Sequence, residues 1–391
     1  MSKYDIAVVG GGMIGAAIAL GLAQQGKSIA LIEGSAPACY SPDQPLDIRV
    51  SAISQHSVNL LEKLGVWEDI AGMRVCPYKR LETWEHPECR VRFDAEVIGL
   101  EQLGFIVENR LVQLGLWQAL KNHNNITLFC PDKLERIHYC QSNHLHLSSG
   151  ESIEVDLVIG ADGANSKVRT LAGIGTTSWD YRQHCMLINV ETDFAQQDIT
   201  WQQFTPSGPR SYIPLPPDID EKKHTARASL VWYDNPKRIR QLGTLTEEQL
   251  RDEILRNFPK ELGDIKVIRS GAFPLVRSHA QSYYKKNCVL VGDAAHTINP
   301  LAGQGVNLGF KDVEVLLEEL GDCLSLSEAL PRYERRRRFD NLTMQTGMDI
   351  FYKGFSNNHS LVKFARNALL RWAEYSGVVK KHVLEYAIGL K

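Results

Sequence analysis

The sequence predicts an α/β protein: a mostly parallel sheet covered by helices, an inserted antiparallel β-sheet domain, and a helical tail. Three observations carry this reading. The first is a β-α-β run at the start. Tyr4–Val9 is a short apolar strand, Met13–Gln25 has helical spacing with small residues, and Ser28–Ile32 is a second strand. The second is a pair of distant apolar runs, Asp156–Gly160 (DLVIG) and Cys288–Gly292 (CVLVG), each ending in Gly with an Asp close behind. Short buried runs of this kind suit a sheet covered on both faces. The third is a change of pattern. Residues 75–107 and 181–275 alternate polar and apolar positions, with Trp, Tyr and Phe interspersed, as in antiparallel sheet with one exposed face. Because β-α-β landmarks lie on both sides, the second domain is read as an insertion. The first domain then comprises residues 1–74, 108–180 and 276–330, the second 75–107 and 181–275, and the helical region 331–391.

A chain of 391 residues exceeds what one hydrophobic core usually serves, which agrees with two domains. A formal charge of -2 offers no general attraction to nucleic acid. Eight scattered cysteines contain no C-x-x-C pair and suit reduced thiols in a cytoplasm, each expected to act as a small buried hydrophobe. No His, Cys and carboxylate spacing suggests a metal site. The apolar stretch Ile6–Ala23 is interrupted by glycines and preceded by Asp5, so it reads as folded structure rather than a signal peptide. No apolar run reaches the roughly 18 residues of a spanning helix. The expected location is cytoplasmic, with peripheral contact at an inner membrane as the further option.

Gly10-Gly11-Gly12-Met13-Ile14-Gly15 fits G-x-G-x-x-G between the first strand and the first helix. Gly10 permits the tight turn, Gly12 lets the backbone approach a pyrophosphate, and Gly15 lets helix and strand pack closely. An anion at this helix start meets unpaired N–H groups and the positive end of the dipole. Glu33 ends the next strand, where a carboxylate accepts hydrogen bonds from ribose hydroxyls. This much predicts a dinucleotide and leaves FAD and NAD tied.

Two further motifs break the tie. Gly160-Ala161-Asp162-Gly163-Ala164-Asn165-Ser166 follows one buried strand. Gly292-Asp293-Ala294-Ala295-His296 follows another and continues through Pro300-Leu301-Ala302-Gly303-Gln304-Gly305-Val306-Asn307-Leu308-Gly309. An Asp at the end of a parallel strand points to the edge where cofactors bind. A helix beginning near Val306 would turn free N–H groups toward negative charge on a reduced ring. The three motifs, in this order and spacing, resemble the aromatic-hydroxylase branch of FAD monooxygenases. PLAGQGVNLGFKD, from Pro300 to Asp312, resembles the ubiquinone-biosynthesis hydroxylases in particular, as do Arg49–Ser54 and Gly347–Asn357.

The resemblance implies a Rossmann-like FAD-binding domain of the p-hydroxybenzoate hydroxylase type, carrying the inserted sheet as substrate domain. It implies that Gly12 and Gly15 face the pyrophosphate, Glu33 binds the adenosine ribose, and Arg49 lies along the cofactor near the ring. Asp293 is implied to contact the ribityl and pyrophosphate portion, and Gly305, Val306 and Asn307 the isoalloxazine, with Pro300 and Gly303 also beside the ring. Asp162 is implied to serve flavin and reductant. The helix that usually begins with an FAD-touching arginine offers Asn109, Arg110 and Gln113 here. The implied reaction uses NAD(P)H and O₂ to hydroxylate a polyprenylated quinol. The first substrate is 3-demethoxyubiquinol, with polyprenylphenol or polyprenyl-methoxyphenol as alternatives. Other proteins of that pathway and an anionic membrane surface are the implied partners. A flavin reductase without oxygenation, or an FAD-bound structural subunit, are the competing classes.

Three features are weighed against plainer readings. His296 could act as a base, but a structural role in the strand-to-helix turn is favoured. The run Arg335–Arg338 is read first as a solvated helix face with local ion pairs, and second as a surface for anionic lipid or an acidic partner. The tail Ser360–Leu390, which mixes Leu, Val, Phe and Trp372 with Lys and Arg, is the other candidate for that contact.

Overall fold

The computed structural model describes residues 1–139, 142–217, 226–298, 305–323, 325–357 and 359–387. The chain begins β1 (Ser2–Val9), α1 (Met13–Gln24) and β2 (Ile29–Ile32). Next come β3 (Val50–Ser54), α2 (Gln55–Lys63), α3 (Trp67–Met73), β4 (Val75–Tyr78), β5 (Arg80–Trp84), β6 (Val91–Asp94) and β7 (Gly104–Glu108). They are followed by α4 (Asn109–Leu120), β8 (Ile126–Phe129), β9 (Leu134–Tyr139), β10 (Asn143–Leu147), β11 (Ser152–Gly160) and α5 (Lys167–Leu171). Then β12 (Thr176–Thr192), β13 (Ile199–Gln203), β14 (Arg210–Leu215) and β15 (Ala226–Asp234) precede α6 (Pro236–Leu242) and α7 (Glu247–Asn257). The last part holds β16 (Ile265–Ala280), β17 (Tyr284–Lys285), β18 (Cys288–Leu290), β19 (His296–Thr297), α8 (Gly305–Asp322), α9 (Leu326–Phe355), α10 (Ser360–Tyr375) and α11 (Gly377–Ala387).

β1 runs parallel to β11 on one side and to β2 on the other; β2 continues to β8 and β11 to β18, all parallel. All four residues of β2 and the last four of β1 are buried, so both faces are covered as the apolar runs required. α1 covers one face with nine buried residues, most of them Ala, Gly and Leu. Its small residues bring α8 close: a Cβ on Gly21 would lie 2.5 Å from Leu317.

The second sheet has the order β19-β16-β12-β15-β14-β13-β5-β6. Its long central strands are antiparallel, but β13 pairs in parallel with β5, so the sheet is mixed. The 181–275 region also contains α6 and α7, which alternation alone did not anticipate. Local signals explain them. Asn235 accepts from the Arg238 N–H with Pro236 at the first helical position, and Thr246 and Gln249 form a capping box. The two helices cover part of the sheet, burying Ile239, Leu242, Leu250 and Ile254 with Trp232 and Phe258. β3, β7 and β4 form a small antiparallel sheet of their own.

Two plainer expectations need correction. Of the seven cysteines described, Cys76, Cys185 and Cys288 are buried, whereas Cys39 is exposed and Cys89, Cys130 and Cys323 are half-buried. The Arg335–Arg338 run is not a uniformly solvated face, because Arg337 is 3% exposed and packs beneath α8. Among the described residues, no helix is long and apolar enough to cross a membrane.

Candidate cofactor and substrate site

The three glycine motifs meet because their strands are neighbours. Gly10 follows β1, Glu33 follows β2, Asp162 lies just beyond β11, and Gly292-Asp293 follow β18. All four strands run the same way, so four distant segments arrive at one carboxyl edge. Main-chain bonds tie the turns together: Gly10 N–H donates to Ile32 O (2.8 Å) and Ala161 N–H to Val9 O (2.8 Å).

The three fingerprint glycines have different physical reasons. Gly10 has φ +100°, and a Cβ there would meet Ala161 O at 2.5 Å. A Cβ on Gly15 would lie 1.8 Å from Gly10 O, so only glycine lets α1 close on the turn. Gly12 is unlike both, since nothing lies within 4 Å of its added Cβ. That open side faces a groove of about 550 Å³ lined by Gly12, Glu33, Arg49, Asn109, Arg110 and Gln113, among others. The Glu33 carboxylate is fixed at its wall by the N–H groups of Gly11 (2.5 Å) and Ser35 (3.1 Å). Gly11 O in turn accepts from Gln113 Nε2 (2.8 Å) and Trp117 Nε1 (2.7 Å).

The start of α4 divides its work among three side chains. Asn109 accepts from Ser51 Oγ (2.7 Å), which fixes its amide against β3. Arg110 donates through Nε to Asp47 (2.9 Å) and through Nη1 to the carbonyls of Ala38 and Cys39, clamping the loop after β2. Arg49 sits beside them with its guanidinium 5.3 Å from the Phe273 ring centroid. Sequence reading missed Ser35–Ala38, Asp47, Ile48 and Arg269 as lining residues. Asp47 and Ile48 were one step from the Arg49 run already singled out. Arg269 belongs to β16 of the other sheet and carries no local signal.

The far end of this edge is held by side chains. Asp293 is reachable by water, yet the surrounding protein pushes its carboxyl up, with His296 and Arg49 partly offsetting the rise. Asn307 of α8 accepts from the Ser54 N–H (3.0 Å) and Ser57 Oγ (2.9 Å) and donates to Ala52 O (2.8 Å). It therefore staples the helix start to β3. Gly305 opens α8, half-buried, and Val306 packs on the core beside it. Pro300 and Gly303 lie outside the described residues. Asp162 accepts the N–H groups of Lys167 (2.6 Å) and Val168 (3.1 Å) through one oxygen. Its other oxygen is buried without a partner.

Behind that turn is a buried knot. Asp312 accepts from Gly292 N–H (2.9 Å), His296 Nε2 (2.6 Å), Arg337 Nε (2.7 Å) and Asn341 Nδ2 (3.2 Å). Burial alone would push the Asp312 carboxyl up, but His296 and Arg337 override it and hold it well below the usual range. His296 thus takes the structural role. Arg337 and Asn341 come from α9, a partnership no motif announced.

These residues fit FAD. An open cradle at Gly12, a fixed carboxylate for ribose hydroxyls and an unpartnered Asp162 oxygen all lie along one edge. No group of three or more His, Cys, Asp or Glu among the described residues could hold a metal ion.

The fold matches that of p-nitrophenol 4-monooxygenase from Pseudomonas putida, with TM-score 0.80 at 19% identity over 99% of each chain, a likeness of fold alone. The site and fold together define an FAD-binding protein of the p-hydroxybenzoate hydroxylase architecture. A model of the FAD binding domain matches residues 3–341. The chain is 51% identical to Escherichia coli (strain K12) 3-demethoxyubiquinol 3-hydroxylase, covering 99% of this chain and 98% of the relative. It is 30% identical to the ubiquinone biosynthesis monooxygenase COQ6 of Caenorhabditis elegans, covering 98% and 96%. The chain belongs to the FAD-dependent hydroxylase family of ubiquinone biosynthesis.

Proposed function

We propose that this protein hydroxylates the ring of a polyprenylated quinol, 3-demethoxyubiquinol first among the alternatives, with NAD(P)H and O₂ as co-substrates. The observation that carries the reading is the end-to-end likeness to the Escherichia coli enzyme of that name. FAD, when bound, supplies the two-electron relay from nicotinamide to O₂ that makes oxygen insertion possible.

The chain's residues do the rest. Glu33, fixed by two N–H groups, offers its carboxylate to ribose hydroxyls. Gly12 leaves room for the pyrophosphate, Arg49 is assigned a place along the cofactor near the ring, and Asn109, Arg110 and Gln113 shape the wall. The N-terminal end of α8 at Gly305–Asn307 would favour negative charge on the ring through the positive end of its dipole. Asp162 and Asp293 are assigned the polar flank of the cofactor. The second sheet is assigned the substrate side, since its Ile213 packs against two buried apolar clusters, one holding Cys76, Tyr78 and Ile106 and the other Cys185, Val231 and Leu275. Such an apolar layer excludes water from the reacting ring. A quinol is already electron-rich, so no strong base is required. We place the protein in the cytoplasm at a membrane surface, with other proteins of the same pathway as partners.

The test is turnover of a short-chain demethoxyquinol with NAD(P)H under isotopically heavy O₂. Incorporation of one heavy oxygen atom into product is expected, with the second leaving as water. Unchanged product formation without O₂ would overturn the reading.

A further inference from the structure

α10 is inside out. Its charged Arg366 is turned inward, 7% exposed, and forms a two-pronged ion pair with Glu85 beyond β5. Asn367 adds a bond to the same carboxylate (2.7 Å), and Glu374 accepts the Arg92 N–H (2.9 Å). The outward side carries Phe364 (77% exposed), Leu369 (62%), Trp372 (56%) and Tyr375 (81%), with Val362 beside them. At 100° per residue these positions fall within about half the helix circumference, so they form one face rather than scattered exceptions. A buried ion pair is a costly way to dock a helix when large apolar side chains on the same helix stay in water. The arrangement makes sense if the aromatic face has its own apolar contact.

Charge decides what that contact is. Between His359 and Lys391 stand six Lys or Arg and two Glu, a formal +4, which leaves -6 on the rest of the chain. Glu374 is taken up by Lys380 and Glu385 faces Lys381. Lys363 and Arg371 are exposed, and no described carboxylate pairs with either. A second copy docking by this face would set the cations of this positive tail, Arg371 at the edge of the face among them, against their own copies. An anionic bilayer surface instead neutralises them while the aromatic rings enter the headgroup boundary, where Trp and Tyr keep polar tips in contact with water. The alternative Arg335–Arg338 run is unsuited, since Arg336, Arg337 and Arg338 are engaged by Glu318, Glu319, Asp312, Asp340 and Glu334.

We propose that the Phe364–Tyr375 face of α10, with Arg371 at its edge, docks the protein in the interface of an anionic lipid bilayer. The proposal rests on the polyprenylated-substrate reading for its purpose, since such a substrate resides in lipid, but its test does not. Full-length holoprotein is floated with vesicles of phosphatidylcholine alone and of phosphatidylcholine enriched in phosphatidylglycerol. Binding to the anionic vesicles is expected, weakened by salt. It should fall roughly tenfold in Phe364→Ser/Trp372→Ser and comparably in Lys363→Glu/Arg371→Glu. Both pairs are exposed, and circular dichroism and flavin content confirm folding. Absence of flotation of the unaltered protein, or equal flotation of the variants, overturns the proposal. So does a dimer in solution that the serine pair converts to monomer, because the face would then belong to a second copy. Turnover of a water-soluble quinol should be the same in all variants. If that turnover is missing even in the unaltered protein while flotation persists, the substrate reading fails and the membrane face stands.

Discussion

At the Glu33 end of the groove, main chain does the positioning: Gly10, Gly11, Gly12 and Gly15 shape the turn, and two N–H groups hold the one important carboxylate. At the Asn307 end, side chains do it. Asn307 reaches Ala52, Ser54 and Ser57, while Asp312 gathers Gly292, His296, Arg337 and Asn341. The first end fails through sterics and has no second best. The second fails through lost polar partners, by increments. That contrast orders the expected effects of substitution.

The largest effect is expected at Gly15. Gly15→Ala places a Cβ 1.8 Å from Gly10 O, a contact with backbone that no rotamer relieves. A loss of about 4 kcal/mol or more is expected in urea denaturation, with little FAD retained. Gly12→Ala is the control, because nothing lies within 4 Å of its added Cβ. Its stability should change by less than about 1 kcal/mol while FAD affinity falls. Equal stability losses at the two glycines would break the distinction between a packing glycine and a cradle glycine.

Asp312→Asn comes next. It removes the charge facing Arg337 and gives His296 and the Gly292 N–H an amide in place of a carboxylate. Leaving a buried guanidinium without its anion is expected to cost about 3–4 kcal/mol by the same measurement. Asn307→Ala loses three bonds to β3 and α2 but no charge, and about 2–3 kcal/mol is expected. Flavin absorbance should sharpen the contrast: at equal stability loss, Asn307→Ala should shift the bound flavin spectrum more than substitutions near Glu33.

The same contrast explains what was legible in the sequence. The β1-α1-β2 unit and Glu33 lie within 33 residues, and each requirement leaves a residue type that periodicity and spacing reveal. The strand ends at Gly160 and Gly292 were legible for the same reason, being apolar runs closed by Gly. The Asp312 knot was not, because Arg337 looks like any basic residue in a charged helix until α9 folds beneath α8. Arg269 reaches the groove from another sheet, and β13 pairs with β5 across more than a hundred residues. The helices α6 and α7 were signalled by Asn235-Pro236 and Thr246–Gln249, but aromatic alternation on either side dominated the reading.

The smallest expected effect tests the side-chain-built end by pH. His279 of β16 is buried next to the knot, bonded to Gln345 (2.9 Å) and facing His296, Arg338 and Arg277. Burial, reinforced by the electrostatic effect of these neighbours, lowers its pKa from 6.5 to about 4. Above pH 6.5 the imidazole is neutral in both folded and unfolded chains and contributes no pH dependence. As pH falls from 6.5 toward 4, the unfolded chain takes up a proton that the folded one refuses, so stability declines across that window and levels off below it. At pH 5 the loss relative to pH 7 is expected to be about 1–2 kcal/mol. His279→Gln should remove that increment from the difference between the two pH values, whatever it costs at pH 7. The Asp312 contribution falls in a separate, more acid window, because its carboxyl titrates below its ordinary 3.8 in the folded chain. An undiminished pH 5 loss in His279→Gln would mean that another group of the polar end carries the linkage.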